Sequence, residues 1–551
     1  MDHERAFLRA IRDEPDDEAH RLIYADWLEE QGGAGRTARA AFIRAQCRLA
    51  ALPVDDPLRD DLEEEAADVL SEYERAWTEP LHGLAQDWQF SRGFLENVTL
   101  RGEDFLTHAQ RLFDFAPLRA IHLLIHNKDI PRLAACPQLR WVETLDFRRC
   151  HLNDRALQQL LISPHLGRLT ALDLAGNGIN TPGVQALVQS PVLGCLRRLD
   201  LSRNLGIGDR TVRLLALAPQ AENLETLSLA ETNIAVDGLY DLLQSTTLAR
   251  LANLNLSGGR FSLAQQAYSS KQLGEPRLLG RLRTLDLSDT RLPILWGLLR
   301  SPQLSNLHAL HLRSMAAGRT DAEMLAHSPS LANLTLLDLQ MNNLGSEGAQ
   351  LLADSPHLAA LTHLAVSSNN IRDAGAKAIA ESPHLRRLTV LDLSGNGIGG
   401  PGLQALAASA NLNRLRRLNL AGNFIGGDSV RALAESGHLG RLSHLDLSDA
   451  YLLEDSACAL AGAVNLERLR TLQLRKNLLG DGGARALAQS PHLKRLTVLD
   501  LNDNRIGKAG AEALAAVPHG RHLRQLDLRG NVFTDTQEKL LRSRFGSAVQ
   551  L

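Results

Sequence analysis

Residues 388–399 read L-T-V-L-D-L-S-G-N-G-I-G, and this stretch returns along most of the 551-residue chain. Leu388, Leu391, Leu393 and Asn396 mark it here; Leu169, Leu172, Leu174 and Asn177 mark an equally clear copy. Further copies begin at Val142, Leu196, Leu224, Leu251, Leu282, Leu307, Leu334, Leu361, Leu415, Leu442, Leu469, Leu496 and Leu523, with weaker ones at Leu95 and Leu118. From Leu307 to Leu523 every step is 27 residues. A fixed period held this long is the signature of a stacked array.

Each copy reads as strand, turn, helix, turn. The L-x-L segment is a short strand whose leucines share one face of the pleat. The Asn eight residues after the first Leu suits a tight turn, its amide satisfying backbone groups as the chain leaves the strand, so stacked copies predict a ladder of amides. Gly510-Ala511-Glu512-Ala513-Leu514-Ala515 then has the composition and spacing of a short amphipathic helix. Ser382-Pro383-His384-Leu385 shows how such a helix closes, since Pro cannot continue it. One unit cannot bury its leucines alone; stacking buries them continuously.

Composition agrees. Hydrophobic residues make up 44% and aromatic ones only 4%, so the core must be aliphatic. No apolar run approaches the roughly 20 residues of a membrane span, and the charged N-terminus lacks the apolar stretch of a signal peptide. Cys47, Cys136, Cys150, Cys195 and Cys458 form no CxxC pair, which points to free thiols and a cytoplasmic protein. Charge is uneven: residues 1–92 hold 22 Asp and Glu against 11 Arg, and the remainder 41 acids against 49 bases. Only seven bases are Lys, which reflects either a GC-rich genome or a preference for the forked contacts of Arg.

The repeat resembles the ribonuclease-inhibitor-like class of leucine-rich repeats over residues 95–545. That resemblance implies an α/β solenoid, a horseshoe with a parallel inner sheet and outer helices, whose inner face binds proteins. Only Cys150 occupies the turn-Asn position, so the cysteine-rich chemistry of that class is absent.

Residues 1–92 depart from the pattern and predict an all-helical domain, with helices near 2–12, 18–31, 37–51 and 57–76. Leu22, Ile23, Ala25, Trp27 and Leu28 are its expected apolar positions on the second helix, which Gly32-Gly33 ends. Leu22 to Gly32 followed by Arg39 to Gln46 resembles the repeat-companion domain, a module that precedes repeats in bacteria such as planctomycetes and myxobacteria; Trp88 to Phe94 resembles its lead-in to the array. The resemblance names a neighbourhood and no activity. Physically, such a domain either caps the first repeat, with Trp88, Phe90 and Phe94 sealing the end, or offers a second docking face through Asp55, Asp56, Asp60, Asp61, Glu63, Glu64 and Glu65. The expected division is 1–92 as cap, 93–545 as about 15–16 repeats, and 546–551 as a C-terminal tail.

Between the second and third leucines lie Asp146, Asp173, Asp200, Asp286, Asp338, Asp392, Asp446, Asp500 and Asp527, interrupted by Ser228, Asn255, His311, Ala365, Asn419 and Gln473. Either these form an acidic stripe for a basic partner or a metal, or they are a common spelling of the repeat, solvated or paired with nearby Arg; the second reading is favoured, and the interruptions also argue against a continuous metal site. Two residues on stand Arg148, Arg313, Arg475 and Arg529, with Arg149, Arg203 and Lys476 adjacent, and Arg148, Arg203, Arg313, Arg475 and Arg529 are the expected partner contacts. The steps of 31 and 25 residues between Leu251 and Leu307 break the period. That region carries Arg260, Phe261, Tyr268, Lys271 and Trp296, and it reads either as a binding loop or as a repair of the stack.

His165, His357, His384, His438, His492 and His519 share one repeat position with Asn411, Asn465, Gln220 and Gln303, so the position asks for a polar group at a helix end and not for a metal ligand. No phosphate-loop glycine motif, nucleophile elbow or zinc-protease motif is present. The array is too weakly basic, with too few aromatics, for nucleic acid. The sequence therefore predicts a non-catalytic, cofactor-free scaffold that binds a protein through its concave face, or alternatively a regulatory or sensor subunit controlling a partner enzyme. No nucleic-acid or membrane partner is expected.

Overall fold

The structure, a computed structural model, describes residues 2–53, 58–259, 276–290, 298–299, 301–427, 429–516 and 523–551. Arg260, Phe261, Tyr268, Lys271, Trp296, Asp55, Asp56 and His519 lie outside the described residues, as do the side chains of Asp60 and Glu64. By its internal contacts the chain forms two compact units, 1–255 with 259–262 and 256–258 with 263–551.

The first unit begins with α1 (Asp2–Asp13), α2 (Glu18–Gln31), α3 (Ala34–Ala51) and α4 (Leu58–Trp77). Asp17 starts α2 by accepting the Ala19 N–H at 2.8 Å, and Gly32, at φ +67°, stops it. The buried face of α2 is Arg21, Tyr24, Ala25 and Leu28, spaced one turn apart. Leu22 and Ile23, expected to be apolar core positions, are 38% and 52% exposed because they fall on the neighbouring arc of the helix. Arg21 stands inside in their place.

After the helices, β1 (Ala85–Ser91) and β2 (Phe94–Arg101) form an antiparallel hairpin, so the segment before residue 93 is not wholly helical and the composition break at 92/93 falls in a turn. Gly93 has φ +85°, and a Cβ there would lie 2.5 Å from Ile43 Cα, so the turn needs glycine. Phe90 packs edge-on against Phe42, and Phe94 against Tyr24, which puts both rings in the helical core. From β2 the sheet continues in parallel through β3 (Ala120–Leu124), β4 (Thr144–Asp146), β5 (Ala171–Asp173), β6 (Arg198–Asp200), β7 (Thr226–Ser228) and β8 (Asn253–Asn255).

The second unit repeats the pattern with β9 (Thr284–Asp286), β10 (Ala309–His311), β11 (Leu336–Asp338), β12 (His363–Ala365), β13 (Val390–Asp392), β14 (Arg417–Asn419), β15 (His444–Asp446), β16 (Thr471–Gln473), β17 (Val498–Asp500), β18 (Gln525–Asp527) and β19 (Val549–Gln550). All of these pair in parallel and in register, so that Leu364, Leu391, Leu418 and Leu445 form one buried column. Residues 546–551, expected as a tail, hold the last strand. Gly546, at φ +58°, turns the chain out of the helix Asp535–Phe545, and Val549 then pairs with Leu526.

Two ladders join successive repeats. Asn396 donates through Nδ2 to the carbonyls of Leu393 (3.0 Å), Ser394 (3.2 Å) and Val366 (2.9 Å), while its Oδ1 accepts the N–H groups of Asn369 and Ile371. Asn177, Asn204, Asn342, Asn369, Asn423, Asn477, Asn504 and Asn531 donate to repeat carbonyls in the same way, as the spacing predicts. Thr232 occupies the same position but reaches only the Leu229 carbonyl. The second ladder is made by serine: Ser163, Ser190, Ser245, Ser355, Ser382, Ser409, Ser436 and Ser490 each donate to a carbonyl at the end of the preceding repeat's helix. That role was expected of the histidine position two residues later, where Asn465 alone shows it among the described residues, bonding the Leu433 carbonyl at 3.0 Å.

Candidate binding surface

The strand face is set by the residues on either side of the central leucine. Its aspartates have structural work: Asp146, Asp173, Asp200, Asp286, Asp338, Asp392, Asp446, Asp500 and Asp527 each accept, through Oδ1, the backbone N–H two residues on. This bends the chain out of the strand. Asn419 does the same for Ala421, which explains why Asn can interrupt the row.

In the first unit Asp146, Asp173 and Asp200 are paired in register on adjacent strands. Burial, together with the flanking carboxylates of Asp146 and Asp200, pushes the Asp173 carboxyl up to about 6. In the second unit burial also raises Asp446 and Asp500. Burial would raise Asp527 as well, but hydrogen bonds from Arg529 hold it below the usual carboxylate range.

The five expected arginine contacts that are described divide into two groups. Arg148 donates from Nε to Asp146 at 2.7 Å and lies 3.5 Å from Asp173; Arg529 grips Asp527; Arg203 reaches Glu231 of the next repeat at 2.9 and 2.8 Å. These three are engaged by carboxylates of their own chain. Arg313 and Arg475 are exposed and have no ion pair among the described residues, Arg313 resting against the Met341 sulfur at 3.1 Å. Arg148 and Arg203 belong to the first unit, Arg313, Arg475 and Arg529 to the second.

Sequence reasoning missed an apolar edge. Phe424 is 64% and Tyr451 59% exposed, on consecutive repeats of the second unit, with ring centroids 5.7 Å apart; Leu453, Leu478 and Val532 are exposed near the same repeat position. Phe424, Tyr451, Leu478 and Val532 each follow the turn position by one residue, where other repeats carry Gly178, Leu205, Asn343, Asn370, Gly397 or Arg505. That departure from mostly small and polar residues was the available signal.

A family model described as Leucine Rich repeat matches residues 169–188, 330–353, 357–380, 384–407, 412–434, 468–488, 492–515 and 519–536. No curated relative matches the chain. Among solved structures the chain is similar to the internalin InlF of Listeria monocytogenes strain 4b F2365, at 18% identity, over 77% of this chain and 94% of that one, with a TM-score of 0.36. It is also similar to TLR13 in its complex with ssRNA13, at 20% identity over 75% of this chain, with a TM-score of 0.42, and it spans 63% of that TLR13 chain. No helix among the described residues is long and apolar enough to cross a membrane. With the matched repeats present in both units, each built on parallel strands and joined by an asparagine ladder, the chain is a leucine-rich-repeat protein.

Proposed function

We propose that this leucine-rich-repeat protein is a non-catalytic scaffold that binds a protein partner on the strand face and adjoining turn edge of its second unit, the face that the ribonuclease-inhibitor-like reading makes concave. The supporting observation is the exposed Phe424–Tyr451 pair, since neighbouring solvent-facing rings are a recurrent anchor in protein interfaces. Arg313 and Arg475 add two guanidinium groups that form no ion pair among the described residues, whereas Arg148, Arg203 and Arg529 are spoken for. Residues 1–92 act as the cap of the array in a bacterial protein, supported by two ion pairs to the start of the sheet, Arg21 of α2 to Glu96 of β2 and Asp16 of the α1–α2 turn to Arg119 just before β3. A cytoplasmic setting is supported by five cysteines that are all free.

The test is affinity capture from a lysate of the source cells with the wild type, with Phe424→Ser/Tyr451→Ser, and with Arg313→Glu/Arg475→Glu. All three fold alike, since each substituted side chain is exposed. A protein retained by the wild type and lost from both variants supports the reading; equal capture by all three removes it. Capture abolished by ribonuclease would assign the surface to RNA instead.

A further inference from the structure

The first unit encloses a cleft of about 720 Å³ between α1, the α2–α3 turn and the C-terminal end of α4. This volume is in the range of small-molecule sites. Its walls include the rings of Tyr24, Trp27, Trp77 and Phe94. Arg39 of α3 also lines it, and the state of that side chain sets the cleft apart.

The Arg39 guanidinium lies 4.4 Å from the Trp77 ring centroid and 5.0 Å from that of Phe90. Its Nη1 is shut off from solvent and has no hydrogen-bond partner. Arg21, fully buried in the same domain, has a Glu96 carboxylate oxygen at 2.7 Å and the Pro15 carbonyl at 2.7 Å, although its Nε and Nη1 also lack hydrogen-bond partners. Arg39 has neither such contact. Glu4, the acid on the facing helix, accepts from the Tyr24 hydroxyl at 3.0 Å. Burial lowers the Arg39 guanidinium to about 10, which still leaves it charged at neutral pH. Glu4 favours the charged guanidinium without hydrogen-bonding it, so an anion brought by a ligand can give Nη1 the partner it lacks.

A second source of positive potential faces the same space. The N-terminus of the 18-residue α3 opens on the cleft at Gly33, its N-cap, which provides no side-chain capping bond. Gly32 and Gly33 have φ of +67° and +93°, with nothing within 4 Å of where a Cβ would stand, so the backbone at the rim is uncovered. A helix start of this kind favours an anion. Arg36 lies one turn before Arg39 on the same face of α3 and is exposed at the rim. Against these cations the lining sets two acids, Glu4 and Glu79. That near-balance disfavours a polyphosphate and suits a single negative charge.

We propose that this cleft binds a monocarboxylate with a flat apolar body, the carboxylate meeting Arg39 and the start of α3 and the body lying among the tryptophan and tyrosine rings. Such a group comes either as a free aromatic acid or as the C-terminal carboxylate of a peptide that ends in an aromatic residue.

Calorimetric titration of the full chain with indole-3-acetate and with indole-3-acetamide, and with a tripeptide ending in phenylalanine as free acid and as amide, tests this. The expected result is a Kd below about 1 mM for at least one acid, with its amide weaker by about tenfold or more. Whichever acid binds identifies the source. Arg39→Gln is expected to abolish the acid–amide difference. Should that variant fail to fold, Arg36→Ala, an exposed substitution, must still weaken the acid severalfold while leaving the amide unchanged. Equal binding of acid and amide, no heat from any of the four ligands up to about 10 mM, or an Arg36→Ala variant indistinguishable from the wild type overturns the proposal.

Discussion

Arg21 of α2 and Glu96 of β2 meet at 2.7 Å with both side chains inside the protein, joining the helical segment to the first parallel strands across 75 residues of sequence. An ion pair in this setting gives little net stability while intact, but losing one partner strands the other charge away from water.

Arg21→Met alone and Glu96→Leu alone are therefore each expected to cost about 3–5 kcal/mol in urea denaturation, and the double substitution less than either single one. A double variant as damaged as the sum of the singles would show that the two residues do not act as a pair.

Asp173 gives a pH signature. Its folded-state value of about 6 lies above the ordinary 3.8, so the folded protein holds the proton more tightly than the unfolded chain. Stability from this group is greatest below about pH 4 and declines up to about pH 6, and the penalty is complete above that. Asp173→Asn keeps the Oδ1 acceptor for the Ala175 N–H, so the turn survives. The variant is expected to be more stable by about 1–2 kcal/mol at pH 7.5 and no more stable at pH 4, in parallel thermal melts.

The asparagine ladder predicts a graded series. Asn396→Ala leaves the Asn369 and Ile371 N–H groups without a partner and takes one of two donors from each of three carbonyls in a buried turn, and is expected to cost about 3 kcal/mol. Asn396→Thr, which copies the single carbonyl bond seen at Thr232, is expected to fall between alanine and wild type. Chemical denaturation ranks the three; a threonine variant no better than alanine would count against the bonds as the cause.

Lys476 is left-handed, at φ +55°, and the corresponding position holds Gly176, Gly258, Gly395, Gly422 and Gly530 elsewhere, all at positive φ. Lys476→Gly is expected to stabilise the second unit by up to about 1 kcal/mol by releasing backbone strain. A lowered melting temperature would mean that the lysine's own contacts outweigh the strain.

Much of this was written plainly in the chain. The 27-residue step fixed where each strand begins, and Asn396 announced its ladder because a turn that must satisfy five backbone groups has few side chains able to do so. What stayed hidden depended on distant partners. Arg21 looks like a surface residue until Glu96 is placed beside it, and with Arg21 on the buried face Leu22 and Ile23 fall on the exposed arc of α2. The aspartates and arginines of the strand face could be located but not assigned: whether Arg148 is available or engaged turns on Asp146 and Asp173 one strand apart. The serine ladder was masked by the adjacent Ser-Pro, where the proline alone accounts for the end of the helix. Phe424 and Tyr451 were visible letters whose exposure only the stacked turns reveal.

Because Leu364, Leu391, Leu418 and Leu445 sit in equivalent places, the segment between any two of them can be lost or copied and the flanking pieces still meet chemistry they already fit. The second unit can thus grow or shorten by whole multiples of its period through simple genetic duplication or excision. Its reach toward a partner is, in this sense, a heritable variable that costs no new invention in the interior.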